Sequence, residues 1–266
     1  METSVEVGAW RAVRRRDRLV IVAALVGTTA LAWVYLIRES VSMAALSTEM
    51  VRLRSWGTTD FALIFLMWAM MMIGMMVPSA TPTTMMYAGI ARKAEREKAV
   101  VAPTVVFVSG YVALWTLFSA LATIAQWGLD QAALLSPMMV MTSPMIGATL
   151  LIAAGIYQAS PIKLVCLEHC RSPAHFLSRH WRPGITGAFR MGLEHGVFCV
   201  GCCWVLMGLL FVGGVMNLLW IAAIAIFALA EKIIPVNDAK TASRLTGAVM
   251  ALVGLALLAS WTITGS

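Results

Sequence analysis

The chain reads as all-α, a polytopic helical membrane protein of about seven transmembrane helices with its N-terminus in and its C-terminus out, and three observations predict this. Hydrophobic residues make up 60% of the 266 positions and charged residues only 12%, where a soluble domain carries about 25% charged residues. The 20 basic and 13 acidic side chains gather into short islands, leaving uncharged runs at 19–37, 61–91, 99–129, 131–162, 195–230 and 245–266 that together hold 171 residues. Basic residues then recur in every second loop. Because about 20 apolar residues cross a bilayer, this composition excludes a soluble enzyme and a nucleic-acid binder. The net charge of +7 is a matter of topology.

The runs resolve into spans at roughly 19–37, 61–78, 104–126, 145–163, 186–212, 216–233 and 245–263. The count of seven depends on the 36-residue run at 195–230. As one helix it would be about 54 Å long, far more than a hydrocarbon core of about 30 Å, so it should break at Gly213-Gly214. Lys and Arg in short loops stay on the cytoplasmic side. They occur here as Arg11, Arg14, Arg15, Arg16 and Arg18, then Arg92, Lys93, Arg96 and Lys98, then Lys163, Arg171, Arg179 and Arg182, and finally Lys232, Lys240 and Arg244. Loops 127–144 and 213–215 have none, while the first outer loop balances Arg38, Arg52 and Arg54 with Glu39, Glu49 and Asp60. Residues 1–18 therefore form a basic cytoplasmic tail, and 19–263 a single transmembrane domain in a bacterial cytoplasmic (inner) membrane.

The first span is not a cleaved secretory signal, because its apolar stretch is too long and Arg38 and Glu39 separate it from the nearest small-residue site. The segment 131–143, with Ser136-Pro137 and Ser143-Pro144, is apolar but poorly helical and either lies along the outer surface or re-enters it. The five cysteines, an odd number, all fall in the cytoplasmic half or in the membrane. Stable disulfides are not expected there, which leaves thiols or metal ligands.

Three stretches carry the candidate chemistry. In the second span Met67, Met71 and Met75 are spaced i, i+4, i+8 and share a helix face, giving a column of thioethers. Soft thioethers and thiolates favour Cu(I), although Met is also adaptable packing material. At the cytoplasmic end of the fourth span Cys166 and Cys170 share a face if the helix continues past Pro161, with Glu168 and His169 beside them. In the fifth span His195, Cys199 and Cys202 fall within about 60° of arc, with Cys203 at the border of the stripe. Ionisable groups such as Glu194 and His195 are expensive inside a membrane and mark functional sites, and Gly192, Gly196 and Gly201 admit a close helix neighbour. The fourth and fifth spans are antiparallel, so their cysteines oppose one another at the depth that Met75 and Met76 reach. One shared site between helices two, four and five is the economical arrangement.

The Met-Met-Val-Pro-Ser at 75–79, the Gly-x-Tyr-Gln-x-x-Pro-x-Lys-x-x-Cys-Leu-x-x-Cys-Arg-Ser-Pro stretch at 155–173 and the Cys-x-Gly-Cys-Cys-Trp at 199–204 resemble a bacterial family of predicted metal-binding integral membrane proteins, over about residues 61–232. The resemblance implies membrane location and a metal held by Cys166, Cys170, Cys199, Cys202 and Cys203; it implies no activity.

The leading reading is a Cu(I)-binding protein that acquires, buffers or delivers copper, with zinc and iron ranked below it. Met138, Met139 and Met141 on the outer side, the methionine column and the inner cysteines would form a graded thioether-to-thiolate path. The ligand set is Cys166, Cys170, His169, His195, Cys199, Cys202, Cys203, Met71 and Met75, and the partners are the lipid bilayer, the metal ion and a protein partner or second copy. The competing readings are a membrane-embedded copper or iron oxidoreductase acting on a lipophilic substrate, with Glu194 or Glu168 as proton acceptor, and a subunit of a larger membrane complex. Four histidines are too few for a histidine-rich di-iron hydroxylase. The topology predicts that a C-terminal reporter is active outside the cytoplasm; activity only in the cytoplasm would remove one helix from the count.

Overall fold

A computed structural model describes residue 13 and residues 15–45, 56–94, 100–136, 139–233 and 236–264. Arg11, Arg14, Glu49, Arg52, Arg54, Arg96, Lys98 and Met138 lie outside the described residues. Apart from one bridge between Leu135 and Met141, the regular structure described is helical. In chain order the helices are α1 (Arg15–Ala45), α2 (Thr58–Ala94), α3 (Val101–Gln131), α4 (Pro144–Gln158), α5 (Pro161–Arg171), α6 (Pro173–His180), α7 (Gly184–Gly208), α8 (Leu210–Gly213), α9 (Leu218–Ile233) and α10 (Val236–Thr264). Five stretches, 15–43, 58–93, 101–131, 184–213 and 240–261, are long and apolar enough to cross a membrane, and α4 with α5 makes a sixth as a bent pair. The helix at 216–233 is present as α9, but its 16 residues rise only about 24 Å, short of a hydrocarbon core.

Two prolines correct the expected spans. The second span does not end at Pro78: α2 runs on through Pro78 and Pro82 to Ala94. Pro78 has no N–H for the carbonyl four residues before it, and Trp33 of α1 supplies the missing donor, its indole Nε1 reaching Gly74 O at 3.3 Å. The fourth span, in contrast, is not a straight helix over 145–163. Pro161 disfavours helical geometry in the residue before it. Ser160 is accordingly extended, at φ −70° and ψ 146°, and its side chain caps α5 by accepting from Lys163 N. The axis turns by 64° there. Cys166 and Cys170 keep their i, i+4 relation on α5 but on a different axis from α4. The long run at 195–230 is interrupted after Gly208, and Gly214 has φ +96°, a conformation glycine adopts without penalty.

The surface and the interior reverse the pattern of a soluble protein. Leu31, Leu219, Ile226 and Ile263 are strongly exposed, while Thr83, Thr84, Ser119, Thr123, Gln126, Gln158, Lys163, His195 and Glu231 are buried. An apolar exterior, with a few polar and charged groups held inside an otherwise apolar core, suits lipid as solvent. α3 and α7 approach closely through glycines: a Cβ on Gly110 would strike the backbone at Phe189, and one on Gly192 the backbone at Phe107. α4 and α10 pack in the same way through Gly155 and Gly247. The connection after α3 folds inward, with Met141 N donating to Phe211 O at 2.9 Å and Gln126 Nε2 to Met139 Sδ at 3.2 Å.

Two lysines assigned to cytoplasmic loops lie within the bundle. Lys163 is fully buried, and its ammonium holds Glu231 at 2.7 and 2.8 Å. Gln158 donates to the same carboxylate, as does Ser243 at 3.0 Å, while Arg171 Nε donates to Glu231 O. This network fastens α4, α5, α9 and α10 together just behind the bend. Lys232, one residue on, points the other way, into the site described next.

A buried carboxylate left without its cation is costly, so Lys163→Ala should destabilise the protein by about 3–5 kcal/mol. Lys163→Met combined with Glu231→Leu, which removes both charges, should recover most of the loss. Thermal unfolding in detergent reads both, and equal destabilisation by the single and double variants would show that the pair carries no such penalty.

Candidate metal centre

The centre is built on α7, whose helical repeat places Cys199, Cys202 and Cys203 on the buried side. The thiols of Cys202 and Cys203 donate back to Cys199 O at 3.1 and 2.8 Å, which satisfies their weak donors within the helix. Cys199 Sγ is the hub. Lys232 Nζ from α9 lies 3.0 Å from it and also donates to Ser79 of α2 at 2.8 Å. Tyr111 Oη from α3 lies 3.0 Å from the same sulfur and 3.0 Å from Met76 O.

From α5, Cys170 interacts with both Cys199 and Cys202. Cys166, one turn earlier, rests against Gly201, where any side chain would collide with its sulfur. From α2, Met76 Sδ stands 3.9 Å from Cys203 Sγ. The five cysteines are free thiols and gather from two helices, with a thioether, an ammonium and a phenol around them. The close neighbour admitted by Gly192 and Gly196 is α3, whereas Gly201 faces α5.

The other sequence candidates divide. Met71 and Met75 are buried in the same core as the cysteines, yet the methionine in sulfur contact is Met76, one residue round the helix. His195 is buried beside the cluster, its ring stacked on Tyr111 at 5.5 Å, and its Nδ1 has no hydrogen-bond partner. His169 is set apart: its ring stacks on Phe198 at 4.1 Å and its Nδ1 bonds to Val165 O. Glu194 pairs with Arg182 at 2.7 Å and is partly exposed, so it is not a lone charge in the bundle. Tyr111, Ser79 and Lys232 were not candidates. Only Lys232 left a trace, as a cation ending an apolar run.

Among the described residues no three His, Cys, Asp or Glu side chains surround a common point as in a closed metal centre. The thiols are instead turned towards the backbone and one another. Thiols and a thioether favour a soft ion over a hard one. Lys232 adds a charge argument, because thiolates in a low-dielectric interior need positive compensation. One monovalent ion, two thiolates and one ammonium sum to zero.

The centre is also reachable. A cavity of about 580 Å³ lies between α1, α2, the α5–α6 junction and α9. Val22, Leu25 and Val26 form its apolar wall, and Cys170, Arg171, Ser79 and Lys232 its polar end. It therefore meets the cluster at the sulfur contributed by α5 and at the ammonium.

The chain matches the family PpoB2, described as a copper chaperone, over residues 65–257. The matched region contains all five cysteines, Met76, Tyr111 and Lys232. No curated protein and no solved structure matches.

Proposed function

The chain belongs to the PpoB2 copper chaperone family, and we propose that it is a membrane protein that acquires Cu(I), holds it between α2, α5 and α7, and delivers it to a recipient. The observation that carries this reading is the clustering of Cys170, Cys202, Cys203 and Met76 beside Cys199, whose sulfur Lys232 touches at 3.0 Å. Copper is the cargo. Cys170 and Cys199 are the thiolates that hold it, with Cys166, Cys202 and Cys203 as alternates through which it is exchanged. Met76, with Met71 and Met75 behind it, supplies thioethers, and His195 offers an unpartnered nitrogen. Lys232 offsets the negative charge that forms when two thiols lose their protons to the ion. The cavity ending at Cys170 and Lys232 is the path in or out.

In the same reading the fold is one domain over 19–263 in the bacterial cytoplasmic membrane, preceded by a basic tail at 1–18. The short α9 is the seventh crossing, which puts the C-terminus outside.

Ligands of one site act as a unit, so their effects are not additive. Cys170→Ser and Cys199→Ser should each remove most of the bound copper from the purified, reduced protein, and the double variant little more. Elemental analysis decides it: two losses that sum would mean two separate sites, and unchanged copper in both would refute the thiol centre.

The charge balance predicts selectivity as well. A divalent ion with two thiolates and Lys232 leaves one positive charge uncompensated in the interior. Cu(I) should therefore bind more tightly than Zn(II) in competition with calibrated chelators. Lys232→Met removes a charge-assisted contact worth about 1.5–3 kcal/mol and should weaken Cu(I) by roughly 10- to 150-fold. A zinc site that copper does not displace, or full Cu(I) affinity in Lys232→Met, would contradict the assignment.

A further inference from the structure

Three of the four histidines in the chain stand apart from the thiols and close to one another. The His169 ring on α5 lies 6.1 Å, centre to centre, from that of His175 and 6.3 Å from that of His180, both on α6. Their surroundings prepare the rings as ligands. His169 Nδ1 bonds to Val165 O at 2.9 Å and His180 Nδ1 to Phe176 O at 3.0 Å. A carbonyl only accepts, so each Nδ1 carries the proton and, in the neutral ring, each Nε2 keeps its lone pair; this is how metal-binding imidazoles are commonly oriented. Phe198 stacks flat on His169 at 4.1 Å and Phe176 on His180 at 4.9 Å, which fixes the ring planes. His175 is exposed and the other two are partly so.

The spacing suits an ion held by two imidazoles. With metal–nitrogen bonds of about 2.0 Å, two imidazoles on opposite sides of one ion have ring centres about 6.4 Å apart, close to both separations found here. Pairwise separations of this size suit an ion held between two imidazoles, and imidazole is a copper ligand. The position is informative too. His169 is adjacent to Cys170 of the thiol cluster, and Phe176 touches both His180 and the buried His195 at 4.9 and 5.3 Å. His195, whose Nδ1 is unpartnered, thus lies on the way from the exposed rings to Cys199.

We infer that His169, His175 and His180 form a second, weaker Cu(I) site at the junction of α5 and α6, where His169 shares the ion with His175 or His180 before it passes to, or after it leaves, the thiol centre. This rests on the copper reading above and adds to it a site made of nitrogen alone.

The test uses the purified full-length chain and Cu(I) itself as the probe. Carbethoxylation of histidine by diethyl pyrocarbonate, mapped by mass spectrometry, reports each free Nε2. The first equivalent of Cu(I) should leave His169 reactive, and the second should protect it at least fivefold. In the His175→Gln/His180→Gln variant, which replaces side chains with some exposure, the second equivalent should give no protection. Chelator competition for the first equivalent should be unchanged, which also shows that the variant is folded. Unprotected His169 at two equivalents in the wild type, or protection that survives in the variant, would overturn the inference. If instead the first equivalent already protected His169 and Cys199→Ser did not alter its affinity, the thiol reading would fail while the imidazole site stood.

Discussion

The contact on which the site depends is the one between the Lys232 ammonium and the Cys199 sulfur, 3.0 Å apart inside the bundle. A cation in that position is expensive unless something negative faces it, and the groups that face it are polarisable sulfurs, a phenol and a serine hydroxyl. The cluster in turn gains an adjacent positive charge that permits thiols to give up protons without leaving net charge in a medium of low dielectric constant. Each half of the arrangement makes the other tolerable. In the proposed reading a Cu(I) ion would satisfy both, since it adds one positive charge as two thiols lose two protons.

Bringing sulfur from α5 to that point requires the bend at Ser160-Pro161. Were α4 to continue straight, Cys166 and Cys170 would follow its axis rather than one turned by 64° from it. The bend is stabilised from behind by the Lys163–Glu231 pair and Gln158, which fasten α5 to α9. Glu231 and Lys232 are consecutive on α9. One therefore locks the bend and the other reaches the thiols, so the position of α5 and the charge at Cys199 are set by a single helix. The methionine side rests on a comparable device, because Trp33 closes the gap that Pro78 leaves in α2 and the helix carries Met76 on to the cluster.

Much of this was legible in the chain itself. Uncharged runs foretold where helices lie, and the spacing of His195, Cys199 and Cys202 foretold a buried face, because both follow from local periodicity. The opposition of the two cysteine groups was expected from straight antiparallel spans, whereas the chain brings Cys166 against Gly201 on a helix turned by 64° from α4. What escaped notice had its cause elsewhere in the chain. Lys163 and Lys232 read as loop cations since their partners, Glu231 and Cys199, are 68 and 33 residues away. Tyr111 gave no signal inside an apolar run, and Pro78 and Pro161 look alike in sequence although only Pro78 has an indole to replace its missing donor. The choice of Met76 over Met71 and Met75 is one of helix rotation, which six methionines spread round the helix within residues 67–76 leave undetermined.

The central claim is that sulfur from α5 and sulfur from α7 bind the same ion. X-ray absorption at the copper edge of the full-length chain carrying one equivalent of Cu(I) tests it most directly. An all-sulfur shell that loses scatterers, or gains oxygen or nitrogen in their place, in both Cys170→Ser and Cys199→Ser is the predicted result. A shell dominated by nitrogen or oxygen in the unaltered protein, or one that either substitution leaves unchanged, would contradict the account.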